Sequence, residues 1–361
     1  MAMMQQQLNC MVACSSAPHS LLSSICSQPN TSTSSRNGRF LFSGFGSSKV
    51  SLIRVGKKAA SVRCKPLEVM AAVALPNLKA ADFQHPLDKQ NTTFLRAIPG
   101  LNEIGKVLLG PVAEQVMLLE NIATSILVSE KQLPSLHRLM VEAANILNLE
   151  APDLYVRQNP VPNAYTLAIA GRKPFVVIHT SIVELLKPAE LQAVIAHELG
   201  HLKCDHGIWL TFANILALSA YSLPGLGGLI ARNAEDQLLR WLRAAELTCD
   251  RAALLVAQDP NVVISLLMKL TGGCPSMAEQ LDLDEFLQQA RSYDEAAASP
   301  LGWYLRNAQT RQLTHPLPVL RAREIDKWAK STQYKSLIAN AEISTMAVQR
   351  TINGKLSASI K

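Results

Sequence analysis

His197, Glu198 and His201 stand in the order His-Glu-x-x-His. On a helix, residues four apart differ by about 40° in direction and about 6 Å in rise. Two imidazoles so placed point the same way and can share one metal ion. Neutral imidazole pairs of this kind bind zinc. Glu198 lies one position round the helix, beside the metal and poised to take a proton from a water. From the His and Glu content, a chance match to the three fixed residues is on the order of one per cent.

Two histidines leave a hydrolytic zinc short of a ligand, because such sites have three protein ligands and one water. Asp205 and His206 are nearest in the chain. A histidine at 206 would point to the opposite side of a continuing helix from His197. Gly three and His six residues after the second histidine would define another zinc pattern, but Cys204 and Gly207 occupy those positions. Glu246 is the better candidate. It lies on a separate helical segment, with Asp250 one turn later on the same face. A carboxylate ligand then comes with a second carboxylate that can hydrogen-bond a ligand histidine. Cys204 and Cys249 could also be zinc ligands, but the simpler reading is small buried thiols near the site.

The elements that must carry these side chains are legible from periodicity. Leu191, Val194, Ile195 and Leu199 recur at helical spacing after Pro188, which predicts an amphipathic helix over 188–203. Leu238, Leu239, Leu242, Ala245, Leu247, Ala252 and Leu255 predict another over 232–258, the one bearing Glu246. Ahead of them come a helix over 134–149 and three β-like runs, 153–157, 164–170 and 174–179. The last two form a hairpin about 171–173, and a short helix follows over 181–186. An edge strand here can pair with an extended substrate and lay its scissile bond over the metal. Later helices are expected over 262–270 and 276–291, and 299–311 leads into the segment that carries His315. Residues 101–130 read as helical with a break at Pro111. Residues 66–100 read as an irregular connector broken by Pro76, Pro86 and Pro99, and those after about 335 as a loosely held tail. The expected fold class is α+β, mainly α-helical, with a small β-sheet or hairpin beside the His-Glu-x-x-His helix.

The formal charge of +7 over 361 residues is not a nucleic-acid signal once it is located. Arg36, Arg39, Lys49, Arg54, Lys57, Lys58, Arg63 and Lys65 all precede the first acid, Glu68. Setting those eight aside leaves 27 basic against 28 acidic side chains, a charge of −1. No nucleic-acid partner is expected. Residues 1–64 are Ser-rich, acid-poor and carry scattered Arg and Lys, the composition of an organelle transit peptide. Uncharged, Ser-rich residues first and Arg later favour the plastid, with cleavage near Cys64 or Lys65. The three cysteines beyond it, Cys204, Cys249 and Cys274, form no disulfide framework.

Residues 207–231 carry no charge, a length able to span a bilayer. Pro224 and the glycines around it split the run. Three readings stand: a helical hairpin inside the fold, a hairpin dipping into lipid, and a spanning helix.

Together, His197-Glu198-Leu199-Gly200-His201, Glu246-x-x-x-Asp250 and His315-Pro316-x-x-x-x-Arg321 resemble the HtpX-like and CAAX prenyl protease type 1 metallopeptidases, in the same order. Asn163-Ala164-Tyr165 resembles that family's substrate-strand segment, and the resemblance covers about 135–328. It implies a zincin-like fold of the gluzincin type and one zinc per chain on His197, His201 and Glu246. Asp250 would orient a ligand histidine, and His315 would stand near the oxyanion. Asn163, Ala164, Tyr165 and Arg321 would contact substrate. With the leader, it implies a plastid enzyme at plastoglobules or thylakoids. The domain plan expected is a leader over 1–64, a helical connector over 65–132, a metallopeptidase domain over 133–330 and a tail over 331–361.

The expected function is a zinc endopeptidase acting on plastid proteins, with Glu198 as general base. Its rival from another class is a non-catalytic plastid protein stapled by zinc and associated with lipid through 207–231. The intact Glu198 speaks against it, because a structural zinc needs no such carboxylate. A zinc hydrolase acting on a non-peptide bond is the second rival.

Overall fold

The computed structural model describes residues 72–100, 111–168, 173–210, 213, 227–311, 313–343 and 346. The leader, the turn expected at 171–173 and most of the run 207–231 lie outside them in whole or in part. Prolines in the first turn open most of the helices, where a missing N–H costs nothing. The order is α1 (Ala80–Phe83), α2 (Pro86–Arg96), α3 (Pro111–Thr124), β1 (Ile126–Leu127) and α4 (Pro134–Ile146). Then come β2 (Asp153–Arg157), β3 (Ala164–Leu167), β4 (Phe175–His179), α5 (Thr180–Leu185) and α6 (Pro188–Lys203). The chain continues with α7 (Gly227–Ala257), α8 (Pro260–Gly272), α9 (Leu283–Ala297), α10 (Pro300–Thr310) and α11 (Pro318–Ala329), and α12 spans 332–343. The class is α+β and mainly helical. Among the described residues no helix is long and apolar enough to cross a membrane.

The sheet runs β1-β2-β4-β3. β2 and β4 are parallel, and β3 returns antiparallel on β4 as the expected hairpin. Alternate side chains face opposite ways along each strand. Leu154, Val156, Val176 and Ile178 join the main core, and Tyr155, Phe175 and Val177 make a smaller cluster with Leu118 of α3. β4 is buried on both faces and β3 is the edge, only half-buried.

α6 crosses α7 at very close range. A Cβ on Gly200 would meet Ala252 Cβ at 3.0 Å, Cys249 Cα at 3.1 Å and Cys249 Sγ at 3.2 Å. Two of those atoms are held by the backbone, so Gly200 sets the distance between the helices. The start of α6 is fixed by Glu190, whose Oε2 accepts from Lys187 N at 2.8 Å. Both of its oxygens also pair with Lys269 of α8 at 2.8 Å, and Oε1 accepts from Ser265.

Three expectations change. The segment read as an irregular connector holds α1 and α2. Pro86 opens α2 rather than breaking a helix, because His85 caps it. The acidic helix expected over 276–291 begins only at Leu283. Asp282 caps that start by accepting from Glu285 N at 3.0 Å. The tail is ordered at least over α12, where buried Tyr334 packs on Trp328 and Ala341 is also buried.

Candidate active site

α6 points His197 and His201 to one side, their ring centroids 5.2 Å apart. α7 brings Glu246 opposite them. Glu246 Oε2 lies 3.4 Å from His197 Nε2, and Oε1 lies 3.5 Å from His201 Nε2. Asp250, one turn on, accepts from His197 Nδ1 at 3.1 Å. Arg321 of α11 grips Asp250 with two bonds, Nε to Oδ2 at 2.8 Å and Nη2 to Oδ1 at 2.6 Å. Its guanidinium, expected with the substrate-binding group, is therefore engaged with Asp250. His315 Nδ1 meets Glu246 Oε2 at 2.8 Å, and 43% of the His315 side chain is exposed.

Glu246 is 1% exposed, yet its Oε1 has no hydrogen-bond donor. A buried, unpartnered carboxylate oxygen is costly. This one faces an imidazole Nε2 at a distance too long for a hydrogen bond and suited to a shared cation. The charges agree. Burial works against ionisation of Glu246, but hydrogen bonds from His197 and His315 hold it well below the usual carboxylate range. Burial disfavours charge on His197 too, yet its bonds to Asp250 and Glu246 raise it to about 9. Burial keeps His201 neutral, far below the ordinary range. Without a metal, a proton on His197 thus compensates two carboxylates. Because His197 titrates above its ordinary value, that proton stays through neutral pH and is lost as pH rises through about 9. Metal uptake near neutral pH should therefore release about one proton, and the release should fade above about pH 9. Calorimetry in buffers of different ionisation enthalpy measures it; no buffer dependence would contradict the assignment.

Cys249 also has its sulfur near His197 and His201, within the reach of one ion. Burial pushes its thiol well above the ordinary range, as it does for Cys204. Glu246, already ionised, is the better donor.

Glu198 is buried beside β3. Thr166 Oγ1 donates to its Oε2 at 2.8 Å and lies 3.2 Å from its backbone carbonyl. Asn163, Ala164 and Tyr165 lead into the same edge strand, half-buried, with Ala164 opposite Ile178 and Tyr165 opposite Val177. Thr166 was not singled out from the sequence. Its one signal is its position directly after the Asn-Ala-Tyr segment.

His206 departs from the helical projection. α6 ends at Lys203 and Asp205 takes a left-handed φ of 57°, so the chain reverses before 206. His206 Nδ1 returns to 3.1 Å from His201 Nδ1.

A helix bearing His-Glu-x-x-His, crossed by a second helix bearing a buried glutamate and flanked by an edge strand, defines a metallopeptidase. Residues 130–329 match Peptidase family M48. Plastoglobule-localized metallopeptidase 48, chloroplastic, of Arabidopsis thaliana is 68% identical over 298 residues, covering 82% of this chain and 85% of that protein. The chain belongs to Peptidase family M48, and its activity is that of a metal-dependent peptidase. Protease HtpX homolog 2 of Methanosarcina acetivorans is 32% identical over 170 residues, 40% of this chain and 58% of that one. The chain thus spans little more than half the length of that relative. A crystal structure of S. mikatae Ste24p aligns with a TM-score of 0.37 and 14% identity, over 67% of this chain and 62% of that chain. The plastid location expected from the sequence agrees with the chloroplast place of the Arabidopsis relative.

Proposed function

We propose that this chain is a zinc endopeptidase of plastid proteins in which Glu198 is the general base. The observation that carries the reading is the unpartnered Oε1 of buried Glu246, facing the two histidines of α6 with Glu198 beside them. His197, His201 and Glu246 would hold zinc, which when bound polarises the scissile carbonyl and acidifies water. Glu198 takes the proton of the attacking water and delivers it to the leaving amine. Thr166 holds the Glu198 carboxylate in place through Oε2. Asp250, itself clamped by Arg321, keeps His197 in the tautomer whose Nε2 faces Glu246. β3 receives an extended substrate along its open edge, with Asn163, Ala164 and Tyr165 as contacts. His315 donates to the oxyanion.

Residues 1–64 are the proposed leader and 133–330 the main body of the peptidase domain, against which the segment before it packs through Leu75, Leu78 and Phe83. The uncharged run 207–231 is the proposed lipid contact, its described end exposing Leu229 and Ile230; the plastoglobule place of the relative supports it.

The test is cleavage of an unfolded protein by residues 66–361 before metal removal, after it, and after zinc is restored. Activity lost on chelation and recovered with one zinc per chain is expected. Unchanged activity in the stripped protein would overturn the reading. Zinc bound with no cleavage would favour the structural rival.

A further inference from the structure

We infer that Asp88 and His206 form a hydrogen-bonded relay that fixes the tautomer and ring position of His201. α2, which precedes the residues matched to the family, is then part of the metal centre. The inference rests on His201 holding the metal, and it names residues outside every motif of the sequence.

His206 Nε2 lies 3.1 Å from Asp88 Oδ2, and His206 Nδ1 lies 3.1 Å from His201 Nδ1. An ionised carboxylate only accepts, so Nε2 of His206 carries hydrogen. With Nε2 as the hydrogen-bearing nitrogen of His206, its Nδ1 is the acceptor of the pair. The hydrogen of the Nδ1–Nδ1 contact must come from His201. That leaves His201 Nε2 bare, and Nε2 is the atom turned to Glu246. The choice made at Asp88 thus reaches the atom that would bind the ion, two imidazoles away.

Asp88 is built to stay an acceptor. It is fully buried, yet Oδ1 accepts from Trp241 Nε1 at 2.8 Å and Oδ2 accepts from Thr248 Oγ1 at 2.8 Å. Burial opposes its ionisation, but the bonds from His206, Trp241 and Thr248 hold it at about 2. Its segment is pinned to α7 as well: His85 N donates to Thr248 Oγ1, and Arg251 donates to the carbonyls of Phe83 and Gln84. Asp88, Cys204 and His206 also have ligating atoms within 4.8 Å of one another. Both Asp88 oxygens already accept from donors, however, and burial keeps the Cys204 thiol protonated. That cluster therefore holds a hydrogen, not a second ion.

The test compares the full chain with His206→Ala and, as a packing control, Trp209→Phe. Zinc affinity is read by competition with a chromophoric chelator, and ligand geometry by the visible spectrum of the cobalt(II)-loaded protein. His206→Ala should weaken zinc by about 10–100-fold and shift the cobalt bands. Trp209→Phe trims a buried indole three residues after His206 whose Nε1 has no hydrogen-bond partner, and should leave both readings alone. Equal losses in the two variants would assign the effect to packing and overturn the relay. So would zinc bound as tightly by His206→Ala as by the wild type. A wild type that takes up no zinc would instead strike the reading of the site itself. Nitrogen-15 NMR of the zinc-loaded wild type needs no variant to fold. Hydrogen on His206 Nε2 and His201 Nδ1 is expected, and the reverse assignment would overturn the relay.

Discussion

Replacing Glu198 by Gln should leave zinc bound and lower peptide turnover by roughly 10²–10⁴-fold, the share a positioned general base supplies. Gln keeps the shape of the side chain and still offers an oxygen to the Thr166 hydroxyl, so the edge strand stays docked on α6. His197, His201 and Glu246 are untouched, and metal content should match the wild type. What would be lost is the group proposed to accept a proton from water and return it to the amine. Zinc analysis and cleavage of an unfolded protein, run on the same samples, check both halves. Near-normal cleavage by the zinc-loaded variant would remove Glu198 from the mechanism.

Glu190→Ala should cost about 3–5 kcal/mol of stability, the usual loss when one partner of a buried ion pair is removed. The side chains of Lys269 and Glu190 are only 4% and 5% exposed. Without Glu190, the Lys269 ammonium is left inside, Ser265 loses its acceptor, and the first turn of α6 loses its link to Lys187 N. Replacing both members by apolar residues, as Glu190→Leu with Lys269→Met, should recover much of the loss. Urea unfolding of the three proteins gives the comparison. A cost below about 1 kcal/mol for the single variant would place the pair in solvent.

The parts of the site that were legible in the sequence are those governed by local periodicity. His197, Glu198 and His201 share one helix, and Glu246 and Asp250 share another, so spacing alone puts each set on one face. The hairpin was equally local. The parts that were not legible depend on chain reversal or on partners far along the sequence. His206 projects away from His201 only while the helix continues, and the left-handed turn at Asp205 cancels that premise. Asp88 lies 118 residues from the histidine it serves, in a stretch whose prolines suggested an irregular connector rather than helix starts. The pairing of Glu190 with Lys269 has no local signal, because the two lie 79 residues apart. Thr166 is one hydroxyl in a strand rich in ordinary β-formers.

The contact at Gly200 bears on how the ion comes and goes. Four of the groups around the site, His197, His201, Glu246 and Asp250, ride on two helices whose separation is set by the bare Gly200 meeting Cys249 and Ala252. A spacing fixed that way does not depend on the ion, so the scaffold is shaped before the ion arrives. Loading is then a docking event on a finished frame. Chelation should then remove the metal and leave the far-ultraviolet circular dichroism of the chain unchanged; loss of the helical signal would overturn that view.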